Sequence, residues 1–557
     1  MNGAAPGDGV SFDLTDRPWL PVQFKDGGQD ELSLREVFAR AEDVRRLVGD
    51  LPTQEFALLR LLLAILHDAV EGPEDIDAWA ELWHSDDPFA PVAGYLDRHR
   101  HRFDLLHPQT PFFQVADLKT ANGEVASLNR IVADVPNGEP FFTMRSPGVD
   151  RLGFAEAARW LVHAHAFDTS GIKSAAAGDP RAKSGKVYPL GVGWTGNLGG
   201  VYAEGGSLWE TLLLNLVAAD TGTVRVSEDD RPAWRREPYG SAAAGDLAGR
   251  PLGPRDLYTW QSRRVRLHHD HEGVHGVVLC YGDPLQPHNK HRDEPMTGWR
   301  RSLAQEKKRG ESPVYLPQEH DPARAAWRGL AALLAPQDRG ATGSREPDAY
   351  LRPRVLDWVA RLVTEGALPR DHFLRARIVG ALYGTQQSVI DEVVDDGVMM
   401  AVALLHEGDR RLGRAAIDAV ADADRAVKVL GELAENLARA TGIDPEPRRA
   451  AARDLGYGTL DAPFRRWLSR LRPDDDPLAA RREWQQQARR LIGRLGDRLL
   501  EETGAAAWEG RLGDRGEWLN AASADLRFRS ALGKALPGAT ADESPASGET
   551  TSEKVRA

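Results

Sequence analysis

Hydrophobic positions along the chain fall into two regimes. In the first, short apolar runs alternate with turn residues. "FDLTDRPWLPVQF" (12–24) is extended and aromatic-rich, and the "DGG" after it predicts a β-hairpin. Leu34, Val37, Phe38, Ala41, Val44 and Leu47 then recur at helical spacing, which predicts one helix over "SLREVFARAEDVRRL". Pro52 opens a second helix, "PTQEFALLRLLLAILHDAV", apolar nearly all round and therefore central. Further helical patches ("FAEAARWLVHAHAF", "SLWETLLLNLV") and strand-like runs ("TWQSRRVRL", "GVHGVVLCYG") alternate with long stretches of small residues, above all 168–206. Unstructured stretches of that length inside a compact domain are usually functional or disordered.

The second regime begins near residue 391, where strand signals stop. Trp484, Ala488, Leu491, Ile492, Leu495 and Leu499 form an apolar stripe at helical spacing. Leu430, Leu433 and Leu437 form another, and Phe464, Trp467, Leu468 and Leu471 a third. "GVMMAVALL" and "GEWLNAASADLRFRSALGKAL" complete a set of four or five helices. The reading is an α+β chain: a large mixed α/β domain over 1–390, an antiparallel four-helix bundle over 391–536, and a disordered tail over 537–557. "ALYGTQQSVID" (381–391) joins two segments that both read as helices, and its Gly, Thr and paired amides exceed what a plain polar turn requires.

Composition narrows the function. A net charge of −12 argues against a protein that coats nucleic acid by bulk electrostatics. Local basic segments remain at "RAKSGK" (181–186), "SRRVR" (262–266) and "EKKRG" (306–310). One cysteine, Cys280, allows no internal disulfide and no multi-cysteine zinc site, so it is read as a buried thiol. The N-terminus shows no secretory signal, and "FALLRLLLAIL", broken by Arg60, is too short to span a bilayer. A cytoplasmic protein without membrane contact is expected.

Candidate chemistry is sparse. His67-Asp68 ends a helix and His269-Asp270 lies in "RLHHDHEGVH". Such pairs could bind a metal and activate water, so a metal-dependent His-Asp phosphohydrolase is the rival reading. The second pair, however, sits in a turn-like setting between two strand runs. His163 and His165, two apart on a helix, point to different faces. There is no Walker loop and no nucleophile elbow. No cofactor and no catalytic residue is expected.

Several segments nevertheless resemble one family. "FDLTDRPWLPVQF…LSLREVF", "LPTQEFALLRLLLAILHDAV", "HPQTPFFQV", "GSLWETLLLNLV" and "ALYGTQQSVI" occur in the order shown by the large subunit of the type I-E CRISPR Cascade complex, the CasA family. The resemblance spans almost the whole chain. It implies a mixed α/β domain followed by a four-helix bundle. It also implies a non-enzymatic role: reading the protospacer-adjacent motif (PAM) on double-stranded DNA, starting strand separation, and docking the system's helicase-nuclease. The implied partners are the guide RNA-loaded backbone, small and 5′-handle-binding subunits.

The resemblance also implies site residues. A glycine loop for the minor groove falls at "GDPRAKSGK", with Lys183, Ser184, Gly185 and Lys186. A basic finger falls at "LQPHNKHRDEP", where Lys290 is the nearest lysine and Lys183 and Lys186 compete with it. A glutamine wedge beneath the motif falls at Thr385, Gln386 and Gln387, with Gln386 at the tip. A guide RNA and subunit contact falls at "RIVADVPNGEPFFTM", in Phe141, Phe142 and Thr143.

Overall fold

The computed structural model describes residues 10–133, 148–219, 224–247, 249–334, 347–405, 410–513 and 516–540. The chain divides into two compact units, Met1–Val398 and Met399–Ala557.

The first unit carries several small antiparallel sheets. β1 (Leu20–Phe24) pairs with β2 (Gln29–Leu32) as the hairpin expected, and on its other side with β3 (Val44–Leu47). That last strand corrects the single helix expected through Leu47. α1 (Leu34–Ala39) starts at a capping box, in which Ser33 Oγ accepts from Glu36 N and Glu36 accepts from Ser33 N. It ends after six residues. Val44 and Leu47 are buried as the two ends of a strand, a spacing of three that a helix shares.

β4 (Lys173–Ser174) and β5 (Lys186–Val187) make a short ribbon. β6 (Gly200–Glu204) lies at the edge of a further sheet. β7 (Arg263–His269) and β8 (Val274–Tyr281) form the hairpin implied by the two strand-like runs, with Cys280 buried inside. Burial pushes that thiol up to about 12. β9 (Trp299–Arg301), β10 (Tyr315–Pro317) and β11 (Tyr350–Leu351) make a three-stranded sheet in the order β10-β9-β11.

β12 (Phe373–Tyr383) and β13 (Ile390–Ala401) complete the sheet of β6, in the order β13-β12-β6. Here the sequence reading is overturned: "ALYGTQQSVID" joins strands, not helices, and "GVMMA" is the end of a strand. Five consecutive residues of β12, Ala376–Gly380, are buried, so the alternation over Leu374–Ile378 does not continue and the strand ends as an apolar run.

α2 (Pro52–Ala69) is buried along almost its whole length, as expected of a central helix. Arg60 is tolerated because Glu294 accepts both its Nη groups, at 2.9 and 2.8 Å, and its guanidinium lies over the Tyr258 ring. α3 (Phe154–Phe167) buries both of its histidines: His163 Nε2 lies 3.0 Å from Thr53 Oγ1, and His165 Nε2 lies 2.9 Å from Phe113 O. α4 (Leu208–Leu214) is capped by Ser207. Among the described residues, no helix is long and apolar enough to cross a membrane.

Burial pushes His67, His163 and His165 each down to about 3. The unfolded chain takes up those protons near pH 6.5, and the native chain does not until about pH 3. Stability is therefore full above about pH 6.5 and is lost as pH falls towards 3, at up to about 1.4 kcal/mol per unit for each imidazole. Burial also raises the Glu55 and Asp230 carboxyls, to about 7 and about 6, which acts in the opposite direction. In thermal melting the transition temperature should therefore fall from about pH 6 to pH 5 by less than the three imidazoles alone would give. A flat profile would mean that these imidazoles titrate normally.

The second unit is a bundle of four long helices: α5 (Arg411–Thr441), α6 (Pro445–Leu468), α7 (Pro477–Glu501) and α8 (Ala521–Ala535). Gly442, at φ 79°, ends α5 in the left-handed conformation, and three residues later α6 begins. Phe464, Trp467 and Trp484 pack at ring distances of 4.9–5.8 Å. Asp422, fully buried, accepts from Arg481 Nε and Gln485 Nε2 at 2.8 and 2.7 Å.

The start of the tail departs from the disorder expected over 537–557. Pro537–Thr540 forms a 3-10 turn, and Gly538 N donates to Gln485 Oε1 at 2.7 Å. Residues 541–557 lie outside the described residues. Deleting 541–557 is expected to leave the melting temperature unchanged. Deleting 537–557 also removes the Gly538–Gln485 hydrogen bond, worth about 1 kcal/mol, which should lower it by at least roughly 2–4 °C. Equal melting of both truncations would show the turn to be undocked.

Candidate nucleic-acid interface

The glycine-loop residues sit at the tip of the β4–β5 ribbon. Lys183 N donates to Lys186 O at 2.8 Å and Lys186 N to Lys183 O at 3.1 Å, closing a two-residue turn. Both central residues are left-handed, Ser184 at φ 49° and Gly185 at φ 73°, which is the type I′ pattern. All four residues are exposed, and a Cβ on Gly185 would meet nothing within 4 Å. Gly185 O accepts from Ala175 N at 2.9 Å, tying the tip to the strand beside it. Neither Lys183 nor Lys186 has an ion-pair partner among the described residues.

The other basic segments divide by role. Arg181 spans Asp179 and the carbonyls of Tyr281 and Gly282, so it fastens the base of the turn. "SRRVR" is not an open basic loop: it enters β7, and Arg263 and Arg264 are buried against Asp168 and Asp283. In "EKKRG", Glu306 is held by Arg301, while Lys307 and Lys308 remain exposed. Lys290 is half-buried, and its Nζ lies 3.3 Å from Asp293, a carboxylate shared with Arg225 at 2.8 Å.

The glutamine tip crowns the β12–β13 hairpin. Thr385, Gln386, Gln387 and Ser388 are all exposed. Gln386 and Gln387 are left-handed in succession, at φ 57° and 55°. For non-glycine residues each such conformation costs on the order of 1 kcal/mol, and it persists only where surrounding bonds impose it. Here Gln387 N donates to Gly384 O at 2.8 Å, Gly384 N to Val389 O at 3.1 Å, and Ser170 N to Gln387 O at 2.7 Å. A Cβ at Gly384 would lie 2.5 Å from the exposed Asp391 carboxylate, which would have to turn away. The side-chain amides of both glutamines make no hydrogen bond among those described, so they are presented outward on a stiff turn.

Sequence reading missed the residues that hold these two tips. Asp168, directly after α3, pairs with Lys173 at 2.8 Å and with Arg263. Burial alone would raise its pKa, but the two cations outweigh it and keep the carboxyl below its usual range. The signal available was faint: an isolated Asp and Lys five residues apart in a stretch of small residues. A cavity of about 270 Å³ opens beside this centre, lined by Trp194, Asn197, Arg263, Tyr281 and Gln387 among others. Phe141, Phe142 and Thr143 lie outside the described residues.

The rival hydrolytic pairs have other duties. His67 is buried with Nδ1 3.1 Å from Gly72 O, and Asp68 accepts from Tyr95 Oη at 2.6 Å and Arg235 at 2.8 Å. Asp270 folds the β7–β8 turn, accepting from Glu272 N and Gly273 N and pairing with Arg151. Among the described residues, no group of three or more His, Cys, Asp or Glu could hold a metal ion.

Comparison with known proteins gives a consistent picture. The family described as CRISPR-associated protein Cse1 matches residues 13–495. The CasA/Cse1 protein of Thermus thermophilus is 31% identical over 363 residues, which span 62% of this chain and 64% of that relative's length. The crystal structure of Thermobifida fusca Cse1 is 64% identical with a TM-score of 0.89, covering 95% of this chain and 99% of that one. Cse1 from Acidimicrobium ferrooxidans is 33% identical with a TM-score of 0.80, at the same coverage of 95% and 99%. The chain belongs to the Cse1 (CasA) family, the large subunits of type I CRISPR Cascade complexes.

Proposed function

We propose that this chain reads the protospacer-adjacent motif of a type I-E surveillance complex through its Lys183–Lys186 turn and opens the first base pair with its Gln386–Gln387 tip. The observation that carries this is the attachment of both exposed, left-handed tips to one strap of chain. Ser170 N bonds the glutamine tip and Ala175 N bonds Gly185. The two anchors are five positions apart, at most about 18 Å of extended chain. That is about five duplex steps of 3.4 Å. Both anchors therefore fall within the length of a short motif on one duplex.

Gly185 has no side chain to hold the turn away from the edges of base pairs, so the backbone can approach them closely. Minor-groove edges distinguish A·T from G·C and little more, so tolerance of several related motifs follows. Lys183 and Lys186 are free to neutralise phosphates, whereas Lys290 has first to leave Asp293. The net charge of −12 accords with a chain whose affinity for DNA depends on its partners. Guide pairing reads the rest of the target. Phe141–Thr143 is assigned to the guide RNA and neighbouring subunits, and the helicase-nuclease is taken to dock on the assembled complex.

Omission tests this directly. Guide-loaded partner subunits with this chain should form R-loops on motif-bearing duplex, and without it they should not. The isolated chain with Mg²⁺ or Mn²⁺ should leave DNA intact. R-loops formed equally well without the chain, or cleavage by the chain alone, would overturn the reading.

A further inference from the structure

Between α3 and β5 the chain does something that neither tip requires on its own. Residues 167–175 form a strap contacted by both tips. Tyr383 Oη, at the end of β12, donates to Phe167 O at 2.7 Å. Ser170 N donates to Gln387 O at 2.7 Å, and Ala175 N to Gly185 O at 2.9 Å. Lys173 and Ser174 are paired in register with Val187 and Lys186.

This strap is made largely of small residues, which by themselves hold no fixed path. One buried ionic centre sets it. Asp168 takes Lys173 Nζ at 2.8 Å, drawing residues 168 and 173 together. It also takes Arg263 Nε, while Arg263 Nη2 donates to the carbonyls of Asp168, Thr169 and Gly191 at 3.0–3.2 Å. Tyr281 Oη donates to Gly171 O at 2.6 Å, and its ring lies under both the Arg263 and Lys173 cations. Asp168 is the only ion-pair partner of Lys173 and Arg263 among the described residues. Removing its charge leaves two buried cations uncompensated, a strongly destabilising arrangement locally.

We propose that Asp168, clamped between Lys173 and Arg263, is a positioning residue that fixes the separation of the Ser184–Gly185 turn and the Gln386–Gln387 tip. Motif contact and base-pair opening are thereby held in one register, a role that rests on the DNA-reading assignment above. Asp168 touches no DNA itself. It acts through the strap.

The test places spin labels on Ser184→Cys and Gln386→Cys in the full chain, where the one native cysteine, Cys280, is fully buried. Pulsed electron paramagnetic resonance should give a narrow distance distribution in the parent and a broad one with Asp168→Asn. Lys173→Met, which leaves the Asp168–Arg263 pair in place, should broaden it less and serves if Asp168→Asn folds poorly. Asp68→Asn, which breaks a buried ion pair with Arg235 away from the strap, should lower stability without broadening. In the assembled complex, Asp168→Asn should slow R-loop formation on intact duplex about tenfold to a hundredfold, the scale of a misplaced reacting contact. It should leave rates on a pre-opened target unchanged. An unchanged distance distribution in both strap variants would overturn the positioning role. A broadened distribution with unchanged R-loop rates would instead overturn the assignment of the two tips to one duplex.

Discussion

Gly185→Leu is expected to abolish binding of motif-bearing duplex by the assembled complex, a loss of more than about 100-fold, or about 2.7 kcal/mol. The reason is steric and lies outside the protein. A Cβ at this position meets nothing within 4 Å in the chain itself, so the substitution creates no internal clash. Its only internal cost is a left-handed residue at φ 73°, about 1–2 kcal/mol. Ser184 already accepts that conformation next door. The branched side chain would instead hold the turn out of a groove about 6 Å wide. Gly185→Asn, which tolerates the left-handed region, separates the two effects: it should melt like the parent and still bind poorly. Normal duplex binding by the leucine variant would place the motif-reading element elsewhere.

The paired change Gln386→Ala and Gln387→Ala is expected to slow R-loop formation on intact duplex by about ten- to a hundredfold. Unstacking one step costs about a few kcal/mol. An inserted amide pair that offsets 1.4–2.7 kcal/mol of this accounts for such a rate, at about 1.36 kcal/mol per tenfold. The deletion is clean because the bonds that shape the tip are backbone bonds: Gln387 N to Gly384 O, and Ser170 N to Gln387 O. Alanine keeps both. On a target already opened next to the motif, the variant should match the parent, since the unstacking has been done in advance. Assembly with the guide-loaded partners should also be unaffected. Equal defects on closed and opened targets would mean that residues 385–388 only connect β12 to β13.

How far such sites can be read from sequence depended on periodicity and on reach. α2 and the helices of the bundle were legible because long apolar stripes at helical spacing have few alternative readings. β12 was not, because its second half, "IVGALY", is a short apolar run that a buried helix also produces, and the alternation before it spans only Leu374–Ile378. Val44 and Leu47 were misread for a related reason: a spacing of three suits a helix turn and also the ends of a four-residue strand. The residues of both turns were singled out through their types and the family resemblance, and both turns are exposed. Their geometry was not legible, since the left-handed glutamines and the Gly384–Asp391 approach depend on a hairpin that had not been recognised. Asp168, Lys173 and Arg263 lie up to 95 residues apart in sequence and meet only once the strap is folded. "SRRVR" shows the converse error, in which two arginines that resemble a surface patch neutralise buried carboxylates.

The central claim is that this chain selects DNA by a short motif beside the guide-paired target. The most direct measurement is selection by the assembled complex from a duplex pool with one constant guide-complementary target and a randomised flank. The expected result is enrichment of a few related short flanking motifs by the parent complex, with that enrichment lost when Gly185 is replaced by Leu. Enrichment of no flanking sequence, or the same enrichment with Gly185→Leu, would contradict the account.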